Sequence, residues 1–167
     1  MVNQALVKDY EEIKHERVRD ICTKLSLWAQ KHYEKFGENP VICWVNDDGY
    51  ADLLLRRAVA RNTQCGIVVM CSTKQALEAT VACNIVLYVS NMGRPGDFEA
   101  GITLLKKLRE QGNEAPYLVY TSQLNKKMYG QKVIEAGGQA CVSFEESLLA
   151  AVYAAMKHAY GEIEDLS

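Results

Sequence analysis

From Pro40 onward, five short apolar runs (Val41–Val45, Gly66–Cys71, Ile85–Val89, Tyr117–Tyr120 and Ala140–Val142) alternate with amphipathic stretches. Those stretches run from about Ala51 to Arg61, Thr73 to Ala82, Phe98 to Gln111, Lys126 to Ala136 and Glu145 to Tyr160. A strand that is apolar along its whole length must be covered on both faces, and a helix after each strand supplies that cover. The pattern therefore predicts an α/β fold built on a doubly wound, five-stranded parallel sheet. Boundary residues agree: Ser72 with Gln75 three positions later makes a capping box, and Gly112 and Gly137 follow helix ends.

Ahead of this block, residues from about Gln4 to Phe36 contain no proline or glycine. Leu6, Tyr10, Ile13, then Val18, Ile21, Leu25 and Trp28 recur at steps of three and four, which is one face of a long amphipathic helix ended by Gly37 and Pro40. Such a helix either packs on its own domain or serves as a dimer or partner helix. The chain thus divides into an N-terminal helix (1–37), the sheet domain (40–160) and a short acidic tail (161–167).

With 167 residues, 49% hydrophobic and 24% charged, the chain suits one domain with a full core. A net charge of −2 provides no global basic field for nucleic acid or anionic lipid, and no stretch approaches the length of a membrane span. The expectation is a cytoplasmic protein with neither nucleic-acid nor membrane partners. The 6 cysteines include no C-x-x-C pair and sit mostly in apolar runs, so they read as buried free thiols rather than a zinc site or a disulfide framework.

Three strand ends carry polar groups: Asn46-Asp47-Asp48, Asn91 and Thr121-Ser122. In a right-handed flavodoxin-like sheet of order 2-1-3-4-5 these ends are adjacent, so the groups converge on one crevice at the carboxyl edge, where ligands bind. Taken singly, Asn46, Asp47 and Asp48 would cap the next helix, Thr121 would be an idle hydroxyl, and Asn91 would be a turn residue. Gly93-Arg94-Pro95-Gly96 lacks the spacing of a nucleotide-binding loop.

Four strings in order, Cys43-Trp44-Val45-Asn46-Asp47, Val89-Ser90-Asn91-Met92-Gly93-Arg94, Tyr120-Thr121-Ser122 and Glu135-Ala136-Gly137-Gly138, resemble the successive signatures of a response-regulator receiver domain. The likeness spans roughly Pro40 to His158. It is nearest to receivers whose third strand ends in a Ser-Asp-Met-Gly-Arg-type motif. The resemblance implies an acidic pair that holds Mg²⁺, falling here on Asn46 and Asp47. It also implies a phospho-acceptor aspartate at Asn91, a sensing hydroxyl at Thr121, an aromatic switch residue at Cys141 and a phosphoryl-pairing lysine at Phe144. Only Asp47 and Thr121 match.

An amide oxygen is a poor nucleophile, so Asn91 is not expected to accept phosphoryl. Mg²⁺ prefers charged oxygens, and Asp47 alone remains at the family's metal positions. The expectation is therefore no cofactor and no metal, with Asp47 the one residue left to hold Mg²⁺. What remains is a degenerate crevice closed by hydrogen bonds among Asn46, Asp47, Asn91 and Thr121. This makes the chain a non-phosphorylatable pseudo-receiver acting as a signalling interaction or dimerisation module, not an enzyme. By the resemblance its interface falls on Met128, Tyr129 and Lys132 together with Tyr153, Met156 and Tyr160. Two alternatives are a Toll/interleukin-receptor-like NAD-cleaving enzyme using a glutamate such as Glu78 or Glu99, and a receiver phosphorylated on a displaced acid (Asp47, Asp48 or Asp97).

Overall fold

A computed structural model describes residues 18–159. In chain order the elements are α1 (Val18–Phe36), β1 (Val41–Val45), α2 (Leu53–Thr63), β2 (Gly66–Met70), α3 (Thr73–Ala82), β3 (Ile85–Ser90), α4 (Ala100–Glu110), β4 (Tyr117–Tyr120), α5 (Gln123–Glu135), β5 (Ala140–Val142) and α6 (Glu145–Ala159). All strands are parallel, as the alternating pattern predicts, and the sheet order β2-β1-β3-β4-β5 is the expected flavodoxin-like one. The expected helix residues Leu6, Tyr10 and Ile13, and Tyr160 in the interface set, lie outside the described residues.

Each face of the sheet carries its own core. On one, Ile42, Trp44, Leu87, Val89 and Leu118 pack against α2 and α6; on the other, Cys43, Val45, Tyr88, Tyr117 and Val119 pack against α3, α4 and α5. Alternate residues of one strand feed opposite cores, which is why the strands read as unbroken apolar runs.

The N-terminal helix packs on its own domain: α1 lies against α2 and α6, with Ala29 and His32 buried. It ends at Gly37, whose φ of +74° places it in the left-handed region and whose N–H bonds back to the Tyr33 carbonyl. With the sheet on one side and α1 on the other, α6 is enclosed, and every residue from Leu148 to Met156 is buried. This corrects the expected interface at two positions: Tyr153 and Met156 belong to the core and present no surface. The sequence carried the signal, since Leu148–Met156 is apolar at every position and a helix apolar all round is a buried one.

The starts of α3 and α6 match the sequence reading, at Thr73 and Glu145, while those of α2, α4 and α5 differ by two or three residues. α5 begins at Gln123 because the Ser122 hydroxyl accepts from the Asn125 N–H at 3.1 Å. α2 begins only at Leu53, because residues 49–52 form a turn and Asp52 has a left-handed φ of +58°. The capping box at α3 forms: Ser72 Oγ accepts from Gln75 N, while Gln75 Oε1 accepts from the N–H of Cys71.

Three of the cysteines are buried thiols, as expected. Burial pushes the pKa of Cys43 up to about 12 and those of Cys65 and Cys141 up to about 11. Cys71 is a correction, exposed at the first position after β2.

Candidate functional site

The carboxyl ends of β1, β3 and β4 open on a cavity of about 370 Å³ bordered by Asn46, Asp52, Asn91, Tyr120, Thr121, Asn125 and Ser143. Parallel pairing aligns these ends, with Val45 opposite Ser90 and the N–H of Asn91 bonded to the Val45 carbonyl at 3.0 Å. Topology alone therefore brings Asn46, Asp47, Asn91 and Thr121 to one edge.

Asn91 is held from both sides. Its Nδ2 donates to Asp47 Oδ1 at 2.9 Å and to the Gly93 carbonyl at 3.2 Å, while its Oδ1 accepts from Arg94 Nη1 at 2.8 Å. The guanidinium fixes the orientation of the amide, because a cation requires the oxygen, and the nitrogen is left to face the carboxylate. Arg94 is itself buried and also donates to Ser90 Oγ at 3.0 Å, to Thr73 Oγ1 at 2.9 Å and to the Ala100 carbonyl at 3.0 Å. Burial lowers the Arg94 pKa, and Tyr117, Asp47 and Asp97 act against that shift. One side chain thereby ties β3, the start of α3 and the start of α4 together.

The loop allows this because α4 comes very close to β3. A Cβ built on Gly101 would stand 2.5 Å from the Asn91 carbonyl oxygen, so only glycine fits. Beside it, Arg94 and Asp97 exchange backbone hydrogen bonds at 2.9 Å. The carboxylate of Asp97 is fully engaged, accepting from Thr103 Oγ1 at 2.6 Å and from the Glu99 N–H at 2.9 Å; these bonds lower its pKa.

The expected four-member network is half present. Asp47 and Asn91 are bonded, but Asn46 Oδ1 accepts from the Asp48 N–H at 2.9 Å, and Thr121 Oγ1 accepts from Asn125 Nδ2 at 3.0 Å. Nor do the acids of this loop cap α2: Asp48 Oδ1 accepts from the Tyr50 N–H, and the residue before α2 is Asp52. Asp52 makes no side-chain cap; its Oδ2 accepts from Trp44 Nε1 at 3.4 Å and borders the cavity.

Two expected pocket residues fall elsewhere. Cys141 is buried on the α5 side of the sheet in the core that contains Val133 and Tyr129, because alternate residues of β5 face opposite sides. Phe144 is 56% exposed and lies outside the cavity, whose β5-side wall is Ser143. Of the expected interface residues on α5, Met128 is exposed, Tyr129 is half-buried, and Lys132 pairs with Glu99 at 3.0 Å. Arg94, Asp52, Asn125 and Tyr120 were not singled out as site residues from sequence. Arg94 sits in the quoted Ser-Asn-Met-Gly-Arg string, but its burial could not be read there.

The donor set does not fit Mg²⁺. The ion needs several oxygens facing one point, whereas Asn91 turns its nitrogen toward Asp47 and the Asn46 oxygen is engaged by backbone. Among the described residues no group of three His, Cys, Asp or Glu side chains lies close enough to hold a metal ion. The glutamates of the NAD-cleaving alternative are also away from the cavity: Glu78 borders a groove between α3 and α4, and Glu99 is held by Lys132. None of the helices among the described residues is long and apolar enough to cross a membrane.

No protein-family profile matches the chain, and no curated protein is detectably similar to it in sequence. Its backbone is similar to solved receiver domains. One, from a Francisella response regulator, matches with a TM-score of 0.62 at 20% identity, over 72% of this chain and 98% of that one. Another, the signal receiver domain of an HD domain-containing protein from Pseudomonas fluorescens Pf-5, gives 0.59 at 21% identity, over 74% and 99%. A chemotaxis response regulator of Vibrio cholerae gives 0.57 at 16% identity, over 68% and 95%.

Proposed function

We propose that this chain, which has the receiver fold, is a non-phosphorylatable receiver-like signalling module that works in the cytoplasm through protein–protein contact or dimerisation. The observation that carries this reading is the state of Asn91. The position where the resemblance places a phospho-acceptor holds an amide with Asp47 on its nitrogen and Arg94 on its oxygen. The amide nitrogen's lone pair is delocalised, and the amide oxygen, already accepting from a guanidinium, is a poor nucleophile toward phosphorus. The reading assigns the crevice no catalytic step, no cofactor and no metal.

The displaced acids are carboxylates, but each is engaged elsewhere, Asp47 by the Asn91 amide. Asp97 is committed to Thr103 and to the start of α4, and Asp48 to the turn at Tyr50. Incubating the full chain with acetyl phosphate and Mg²⁺ and then measuring intact mass tests the reading. The expected result is an unchanged mass, and a phosphoryl adduct on Asp47, Asp48 or Asp97 would overturn it.

A further inference from the structure

Of the ten large apolar side chains exposed among the described residues, six (Tyr50, Leu54, Phe98, Leu124, Met128 and Phe144) follow the carboxyl ends of strands and so ring the edge that bears the crevice. Scattered exposed apolar residues need no explanation, but a concentration of them on one edge marks a contact surface. Toward β5 the edge is also divided by charge along the plane of the sheet, whereas at the start of α4 Phe98 stands between Asp97 and Glu99, the latter paired with Lys132. On the α2/α6 side, Tyr50, Leu54 and Phe144 stand among Asp48, Asp52, Glu145 and Glu146, and none of these four acids makes an ion pair among the described residues. On the opposite side, the first turns of α5 expose Leu124 and Met128 with Lys126 and Lys127, and these lysines are likewise unpaired.

Arg56, buried, donates from Nη2 to the Gly49 carbonyl at 2.7 Å and from Nε to the Ala51 carbonyl at 3.1 Å, so the loop that displays Tyr50 is pinned from beneath. A tyrosine that is 86% exposed on a fixed loop is a preorganised anchor.

We infer that the carboxyl edge is a self-complementary docking face whose partner is a second copy of this chain. A two-fold axis lying in the interface along the line of the sheet sets the acidic apolar half of each copy on the basic apolar α5 half of the other. This is a closed, isologous contact. It matches charge twice, buries the apolar ring and covers both crevices. The inference rests on the reading of the chain as an interaction module and identifies that module's partner.

Analytical ultracentrifugation of the full chain tests it by charge reversal. The expected result is a monomer–dimer equilibrium that weakens as salt rises toward about 1 M, where charges are screened within about 3 Å. Lys126→Glu with Lys127→Glu, and separately Glu145→Lys with Glu146→Lys, should each raise the dissociation constant about ten-fold or more. Mixing the two variants should restore a dimer, seen as a heterodimer by native mass, because both half-contacts are then complementary again. Leu54→Ser, a change at a side chain 79% exposed, should weaken the dimer without altering the fold. A wild type that stays monomeric, a dimer indifferent to both reversals, or a mixture that fails to associate overturns the inference. None of these outcomes bears on phosphorylation, which the intact-mass measurement reads separately.

Discussion

Replacing Arg94 by methionine removes a cation of similar length while keeping its apolar stem. The guanidinium supplies four hydrogen bonds, to Ser90 Oγ, Asn91 Oδ1, Thr73 Oγ1 and the Ala100 carbonyl. Ser90 and Ala100 are buried, so those acceptors cannot be rehydrated, and each loses about 1 kcal/mol; Asn91 and Thr73 are half-buried and recover part of their loss from water. Relief of the desolvation of a buried cation offsets part of the total, leaving a net destabilisation of about 2–3 kcal/mol. For a chain of 167 residues that is a fall in melting temperature of roughly 5–10 °C. Arg94→Lys should fall between, because an ammonium on a flexible stem cannot reproduce a planar fork with acceptors on both arms. Thermal unfolding followed by circular dichroism measures both, and the amide resonances of residues 91–101 should shift in the methionine variant. An Arg94→Met protein melting within about 1 °C of wild type would refute the argument that this guanidinium holds the β3–α4 loop.

Other substitutions probe the same edge and the core beneath it. Gly101→Ala should destabilise by about 1–3 kcal/mol in urea titration, because the new Cβ meets the Asn91 carbonyl oxygen at 2.5 Å, a backbone atom that cannot swing away. Asp97 has a pKa lowered from its ordinary value of 3.8 by the Thr103 and Glu99 hydrogen bonds. A depressed carboxylate contributes stability that is present above the unfolded pKa and lost as pH falls through the folded one. Asp97→Asn should therefore flatten the loss of stability below about pH 4, read from urea midpoints. Native labelling with a thiol reagent near about pH 8, followed by peptide mapping, should modify exposed Cys71 and spare Cys43, Cys65 and Cys141, whose thiols are buried and raised to about 12, 11 and 11.

Tyr153 and Met156 show where sequence reasoning by resemblance misleads. They lie on a helix packed between the sheet and α1, and both are core. Asn91 shows the opposite case. Its chemical class was legible from its place at the end of β3, whereas the direction of its amide depends on Arg94, three residues on and folded back by the Arg94–Asp97 turn. Asn46 and Thr121 border the crevice, yet the side-chain oxygen of each accepts from a near neighbour in the chain rather than from Asp47 or Asn91.

The five strands, their parallel class and the polar residues at their carboxyl ends follow from the sequence by itself, and the flavodoxin-like order was expected with them. Hydrophobic periodicity specifies which segments must be buried on two faces, and right-handed crossovers then leave few topologies. Those are consequences of local pattern. Which polar group bonds to which, that Asp52 turns away from its helix to the crevice, and that acids and lysines divide along the sheet at one apolar edge were decided by tertiary structure alone. Hydrogen-bond partners and surface patches depend on ångström-scale placement of residues distant in the chain. Periodicity carries no information about that placement.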